Sequence, residues 1–237
     1  MLSTQSFLDG QVLLFDKPMG WTSFDVANKI RSLIKVKKVG HAGTLDPLAT
    51  GLLIICTGKF TKKINEYMGM EKEYIGTFTL GAKTPTYDLE SDPEDFQLID
   101  HLTHDQIRFA TNAFVGNILQ MPPQHSAIKK NGERLYISAR KGIVIEMEAR
   151  PVTIHSFSIE KIVLPIIHFK VVCSTGTYIR SLANDFGAAL GVGGYMSSLR
   201  RTRIGTFEVL NAKTVTEFET EIKSFRKSLE GEPNAEL

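Results

Sequence analysis

One short segment of the sequence places a single carboxylate among glycines, a proline and small polar residues. Residues 40–51 read GHAGTLDPLATG, and Asp46 is the only acid among them. Glycines permit left-handed backbone and close approach to a ligand, whereas Pro47 disfavours helical geometry at Asp46. No Gly-Lys-Ser/Thr closes the segment, so it is not a phosphate-binding P-loop. Asp46 is predicted to lie at a bend, and local physics leaves two roles open: a turn cap, which is commoner, or a reactive group.

Three further residues can do chemistry, but each has a commoner structural role. His41 alone is more often a hydrogen-bonded structural histidine than a functional one. Tyr74 falls on an alternating strand pattern that normally faces a core. Arg180 lies one turn into the helical pattern that follows the residues STGT, where an arginine usually forms a surface ion pair. Taken singly, none of the three predicts a site.

The charges of the chain are segregated although their sum is only +2. Residues 29–63 hold eight Lys or Arg against the single acid Asp46, and residues 161–203 hold six against Asp185. Residues 85–105 hold seven acids and no Lys or Arg. Such a distribution is consistent equally with binding of a polyanion on one face and with ordinary solvated surfaces, and charge alone leaves both interpretations open.

The elements that must position these residues can be predicted from periodicity and capping signals. Thr22, Thr103 and Thr214 each precede an Asp, Gln or Glu three residues later, which predicts helix starts. Strands and helices do not alternate regularly, so the predicted class is α+β with a mainly antiparallel sheet. The predicted strands are 11–16, 52–57, 72–80, 143–149, 152–163, 166–174 and 206–210; the helices are 22–34, 60–68, 103–114, 178–190 and 214–225; the loops are 40–51, 85–100 and 122–142.

Composition and length restrict the class of protein. The 237 residues are 42% hydrophobic and 23% charged, as in globular proteins, which argues against a disordered chain. Only Cys56 and Cys173 are present, which excludes a disulfide scaffold and a cysteine-rich zinc site. No apolar run approaches 18 residues and the N-terminus has no secretory pattern, so a cytoplasmic protein is expected.

Six segments, in the same order along residues 10–210, resemble one family. Together they look like the tRNA pseudouridine synthase B family, and six motifs in register are a far more specific signal than one. The segments are 16–23 (DKPMGWTS), 40–51 (GHAGTLDPLATG), 72–74 (KEY), 122–132 (PPQHSAIKKNG), 176–180 (GTYIR) and 199–202 (LRRT).

The resemblance implies an activity, a fold and a set of site residues. The family isomerises uridine 55 in the tRNA T-loop to pseudouridine, with no cofactor and no metal. Its fold is α+β, with a mixed, mainly antiparallel central sheet and helices and loops around an active-site cleft. It assigns Asp46 as nucleophile, Tyr74 as the aromatic contact of the base, and Arg180 as the ion-pair partner of Asp46. The substrate-binding residues that it assigns are Lys17, His41, Gly43, Thr44, Tyr178 and Leu199, with His41 prying the T-loop open and Leu199 packing on the base.

The resemblance also sets the expected organisation of the protein. Residues 1–237 form a single catalytic domain, with a C-terminal helix over 211–230, a tail over 231–237 and no PUA domain. The expected partner is the T stem-loop of tRNA; a monomer without a protein partner or membrane contact is expected. Two alternatives remain: the guide-RNA-dependent H/ACA catalytic subunit, and a catalytically silent RNA-binding module. Whether Asp46 attacks C6 of the base or acts at C1′ of the sugar also stays open.

Overall fold

The computed structural model describes residues 3–124, 126, 129–130, 133–134 and 145–230, so most of the predicted 122–142 loop and the predicted tail lie outside the described residues. The first elements are α1 Thr4–Asp9, β1 Val12–Lys17, α2 Ser23–Ile34, β2 Val39–Ala42, β3 Thr50–Thr57, a 3-10 helix Gly58–Lys63, α3 Ile64–Gly69, β4 Lys72–Leu80, α4 His104–Ala110, a 3-10 helix Thr111–Phe114 and β5 Gly116–Gln120. The remaining elements are β6 Lys129–Lys130, β7 Glu133–Arg134, β8 Arg150–Val163, β9 Ile166–Cys173, α5 Ile179–Ala189, β10 Gly194–Ile204, β11 Phe207–Glu208, a 3-10 helix Val209–Asn211 and α6 Val215–Glu230.

The chain divides into two compact units. The first comprises residues 1–70 and 200–237, and the second comprises residues 71–199. The first unit is therefore built from both ends of the chain. The single catalytic domain expected from the sequence stays a prediction.

Strand β3 is the centre of the first unit. It pairs antiparallel with β1 and β2, and parallel with β10 through Arg200 opposite Thr50 and Arg201 opposite Gly51. Seven of its eight residues are buried, because both of its faces are covered. Leu53 and Ile55 pack with α2 and α6, whereas the residues that alternate with them along the strand pack on the opposite side. This two-sided burial explains why β3 is a continuous apolar run rather than an alternating one.

The helix starts predicted from the sequence are confirmed. At each start the threonine hydroxyl accepts a hydrogen bond from the backbone amide three residues on, and the side-chain carboxylate or amide of that residue accepts one from the threonine backbone. The three threonines are Thr22, Thr103 and Thr214. A fourth start of this type, at Ser3, opens α1, which the sequence did not predict. Each of these reciprocal pairs of bonds, known as a capping box, satisfies backbone donors that a helix end leaves unpaired.

The second unit is an antiparallel sheet with an aromatic core on one face. Its strand order is β10, β4, β9, β8 and β5. Tyr74, Phe78 and Leu80 are buried on the same face of β4, as the alternating pattern predicted. Phe78 stacks on Phe169 at 4.1 Å between ring centroids. Phe186 of α5 lies 6.2 Å from Phe78, so α5 covers this face.

Four of the sequence predictions were wrong. The 40–51 segment is not all loop, because β2 and the first two residues of β3 lie in it. Residues 145–149 have no regular structure, so the strand expected over 143–149 is absent from its described part. The strand expected over 206–210 is only two residues long. The strands β5 and β10 were missed. In β10, three arginines break the apolar alternation that identifies a strand.

Candidate active site

Asp46 lies at a bend in the first unit, in the segment between β2 and β3. Its carbonyl accepts a hydrogen bond from the Ala49 amide at 3.1 Å, which closes a tight turn. The preceding residue, Leu45, is fixed by Ser23 at the start of α2: its amide donates to the Ser23 hydroxyl at 2.9 Å. The half-buried Asp46 side chain therefore stands on a backbone held in place from α2. The predicted bend is confirmed, and residues 43–51 are called the Asp46 loop below.

Lys17 holds the Asp46 loop from the end of β1. Its side chain is fully buried, and its ammonium donates to the carbonyls of Pro18 (3.0 Å), Trp21 (2.6 Å) and Pro47 (3.2 Å). All three ammonium donors are thus used on backbone. This favours a structural role over the direct substrate contact expected from the resemblance.

Arg201 holds the Asp46 loop from β10. Its Nε donates to the Leu52 carbonyl at 2.7 Å, and its Nη2 donates to the Gly43 carbonyl at 3.1 Å. The side chain is 1% exposed. Sequence reasoning gave this arginine no role, because nothing in the LRRT motif distinguishes it from the partly exposed Arg200.

The two buried cations and Asp46 interact electrostatically. Burial lowers the pKa of Lys17 to about 8; the Asp46 carboxylate opposes that shift, and the Arg201 guanidinium adds to it. The attraction is mutual, so the Lys17 ammonium also stabilises the ionised carboxylate of Asp46. A carboxylate kept charged at neutral pH is ready to act as a nucleophile without a general base.

The other expected site residues of the first unit differ in accessibility. His41 is half-buried on β2, opposite Ile55 of β3. Gly43 has a φ of +87°, in the region that favours glycine, and its carbonyl is engaged by Arg201. Thr44 is exposed, directly before the Leu45–Asp46 turn. Thr44 is thus the most accessible of these predicted substrate contacts.

The second unit carries Tyr74, Tyr178 and Leu199. Tyr74 is 8% exposed on β4, opposite Val171 of β9. Leu199 is also 8% exposed, at the last residue of this unit. Tyr178 is the N-cap of α5, and Gln120 holds it on both sides: its amide donates to Gln120 at 2.8 Å and its carbonyl accepts at 3.1 Å.

Arg180 lies in the first turn of α5 and is 4% exposed. Its Nη1 is 3.6 Å from Oδ2 of Asp88, which is 1% exposed. Nη1 also donates to the Thr86 carbonyl at 3.4 Å, and Asp88 Oδ1 accepts from the Glu90 amide at 3.0 Å. The sequence did not predict this buried partner of Arg180, because Asp88 opens an acidic run that resembles a solvated loop. The expected pairing of Arg180 with Asp46 stays a prediction.

Two general features of the described residues bear on the chemistry. Across them, no group of three His, Cys, Asp or Glu side chains is arranged to hold a metal ion. None of the helices described is both long and apolar enough to cross a membrane.

Comparison with known proteins identifies the family. The TruB family pseudouridylate synthase N-terminal domain matches residues 31–179, and the tRNA pseudouridylate synthase B C-terminal domain matches residues 180–234. A Flavobacterium johnsoniae protein named tRNA pseudouridine synthase B is 52% identical over 229 residues, covering 94% of this chain and 100% of that relative. A Chloroherpeton thalassium protein of the same name is 50% identical over 214 residues, covering 88% of this chain and 89% of that relative.

Solved structures share the fold. A Cbf5-Nop10-Gar1 complex matches with a TM-score of 0.74 and 29% identity, covering 94% of this chain and 57% of the other. An H/ACA RNP bound to a substrate RNA containing 2'-deoxyuridine matches with a TM-score of 0.72 and 26% identity, covering 97% and 58%. This chain thus spans less than two thirds of either solved chain. The TM-scores confirm the predicted α+β pseudouridine synthase fold. Because the two family domains together account for residues 31–234, this protein belongs to the TruB family of pseudouridylate synthases.

Proposed function

We propose that this enzyme converts uridine 55 in the T-loop of tRNA to pseudouridine, with Asp46 as the nucleophile. The observation that carries the proposal is the Asp46 loop, in which a half-buried carboxylate is held at a bend by two buried cations. The names of the close relatives support tRNA as the substrate.

The reaction explains why a carboxylate is needed. The glycosidic bond between N1 and C1′ must break, the base must turn, and C5 must join C1′; C5 loses its proton and N1 takes one up, so that the product is an isomer of the substrate. A carboxylate can add to C6 of the base or act at C1′ of the sugar, and both routes begin from the ionised Asp46. Neither route is possible while the base is stacked, so the uridine must first be flipped out, at a cost of a few kcal/mol.

The residues of the second unit complete the proposal. The ring of Tyr74 offers a flat surface to the flipped uracil, and its hydroxyl can take or relay the C5 proton. Leu199 packs against the base; from the first unit, His41 pries the T-loop open and Thr44 is a further substrate contact. Arg180 orients the Asp46 carboxylate with a planar pair of donors, which a lysine cannot offer.

The first experiment separates this activity from its alternatives. The purified protein is incubated with unmodified tRNA, and pseudouridine is mapped by carbodiimide labelling and mass spectrometry. Modification at position 55 without guide RNA or another protein supports the proposal, including action without a protein partner. Activity only with a guide RNA indicates the H/ACA type of enzyme, and binding without modification indicates a silent RNA-binding module.

The second experiment tests the nucleophile. Asp46→Asn removes the charge with almost no change of shape, so turnover is expected to be abolished while tRNA binding is retained. Asp25→Asn is the matched control, because Asp25 is an exposed helix-capping carboxylate of the same unit. Retention of activity within tenfold of wild type by Asp46→Asn contradicts the assignment.

A further inference from the structure

We propose that Arg201 is a positioning residue of the reaction, because its buried guanidinium fixes the two ends of the Asp46 loop. The inference rests on the proposed role of Asp46 as nucleophile. Arg201 touches no reacting atom in this proposal; it acts through the backbone that carries the carboxylate.

The contacts of the guanidinium span the loop. Nη2 binds the carbonyl of Gly43, the first residue of the loop, and Nε binds the carbonyl of Leu52, the residue after its last. A single planar group thus sets the distance between the two points where the loop begins and ends. The side chain is 1% exposed, so these bonds are shielded from water, which strengthens them.

The backbone of Arg201 reinforces this hold. Arg201 pairs with Gly51 in the parallel β3–β10 bridge. A Cβ placed on Gly51 would lie 2.3 Å from the Arg201 carbonyl oxygen and 2.7 Å from its amide nitrogen, closer than real Cβ contacts allow. The absence of a side chain at Gly51 lets β10 approach closely, and this brings the guanidinium to the loop.

Lys17 and Arg201 have complementary positions along the loop. Arg201 holds Gly43, three residues before Asp46, and Lys17 holds Pro47, one residue after it. The two described side-chain bonds of Arg201 go to neutral carbonyls, and its charge lies close enough to Lys17 to help lower the pKa of that ammonium. The guanidinium therefore adds a positive potential at the site as well as geometry.

The test compares Arg201→Met with Arg200→Met. Arg200 is the neighbouring residue on β10, but its guanidinium turns to Asp16 with two bonds of 3.0 and 2.6 Å. The two variants therefore remove the same charge from the same strand. Single-turnover rates, tRNA affinity and the pH dependence of the rate are measured for both, using unmodified tRNA and the full chain.

The expected result for Arg201→Met is a rate at least 100-fold below wild type with tRNA affinity within threefold. The acid limb of its pH–rate profile should move to higher pH, since the Asp46 carboxylate has lost a nearby positive charge. Arg200→Met should stay within fivefold of wild type with an unmoved acid limb. A folded Arg201→Met with rate and acid limb like those of Arg200→Met overturns the inference.

A second variant covers the case in which Arg201→Met does not fold. Arg201→Lys keeps the charge but reaches only one of the two carbonyls, so an intermediate rate loss of at least tenfold is expected, with an unmoved acid limb. Full activity of Arg201→Lys overturns the inference. Wild-type protein that leaves uridine 55 unmodified contradicts the proposed function instead, so the two failures are distinguishable.

Discussion

Replacing Gly51 by alanine should destabilise the first unit more than alanine at a positive-φ glycine that has open space beside it. Gly51 has a φ of +100° and lies directly against the backbone of Arg201. An alanine at this position meets two obstacles: a backbone conformation that L residues avoid, and a methyl group overlapping the Arg201 peptide. The flanking peptide cannot move aside as a flexible side chain would.

The magnitude follows from separate estimates of the two obstacles. Positive φ at a non-glycine residue costs roughly 1–2 kcal/mol. Forcing an extra methyl into a closely packed site costs typically about 1–3 kcal/mol. The sum is about 2–5 kcal/mol, a substantial part of the roughly 5–15 kcal/mol that stabilises a folded domain.

Gly20→Ala is the matched control, because Gly20 also belongs to the first unit and has a φ of +81°, yet no atom lies within 4 Å of the place that its new methyl group would occupy. It should lose only the conformational part, roughly 1–2 kcal/mol. Urea unfolding followed by fluorescence of Trp21, the sole tryptophan, reports on this unit. Equal losses in the two variants would refute the close approach of Gly51 to Arg201.

Three further predictions concern the site residues. Tyr74→Phe should bind tRNA normally but lose turnover, whereas Tyr74→Leu should lose binding of the base as well; equal and mild effects on both would leave Tyr74 as a core residue. Arg180→Lys should lower the single-turnover rate at least about tenfold, or about 1.4 kcal/mol, because an ammonium cannot replace the planar guanidinium in its proposed role of orienting Asp46; an unchanged rate would count against that role. Lys17 should give opposite pH effects on rate and stability. Its folded pKa of about 8 lies below its unfolded value, so the unfolded chain holds more protons and the free energy of unfolding rises as the pH increases from about 8 to 10.5. Loss of the ammonium also loosens Pro47, so the rate should fall above about pH 8. Lys17→Met should lack both pH effects in urea titrations and rate profiles, and an unaltered profile would contradict the low pKa.

Much of the fold was accessible from the sequence because its signals are local. The capping residues Thr22, Thr103 and Thr214 each determine a helix start through contacts three residues apart. The alternation in β4 identified Tyr74 and Phe78 as members of one buried face. Both kinds of signal depend only on near neighbours along the chain.

The features that could not be predicted depend on partners far away in sequence. Strand β10 places Arg201 in a buried position, a location that burial statistics disfavour for arginine, and its bonds to the carbonyls of Gly43 and Leu52 compensate for that burial. Asp88 likewise resembles a loop acid until Arg180 is found beside it, 92 positions along. Lys17 belongs to a motif that was recognised in the sequence, but the motif does not indicate what surrounds the side chain. Its burial against three backbone carbonyls is known only from the structure.

The long separation between Arg201 and the residues it binds has a consequence for how the enzyme is made. Arg201 follows Leu52 by 149 positions and Gly43 by 158. A ribosome adding about 5–20 residues per second needs roughly 8–30 s to cover that stretch. During this interval the nascent chain contains the whole Asp46 loop but not the strand that closes it, so β3 has an open edge. A nascent chain halted before residue 200 therefore carries the proposed nucleophile with its Lys17 and Ser23 contacts but without those of Arg201. If Arg201 positions the loop as proposed, full activity on RNA is reached only after β10 has been made.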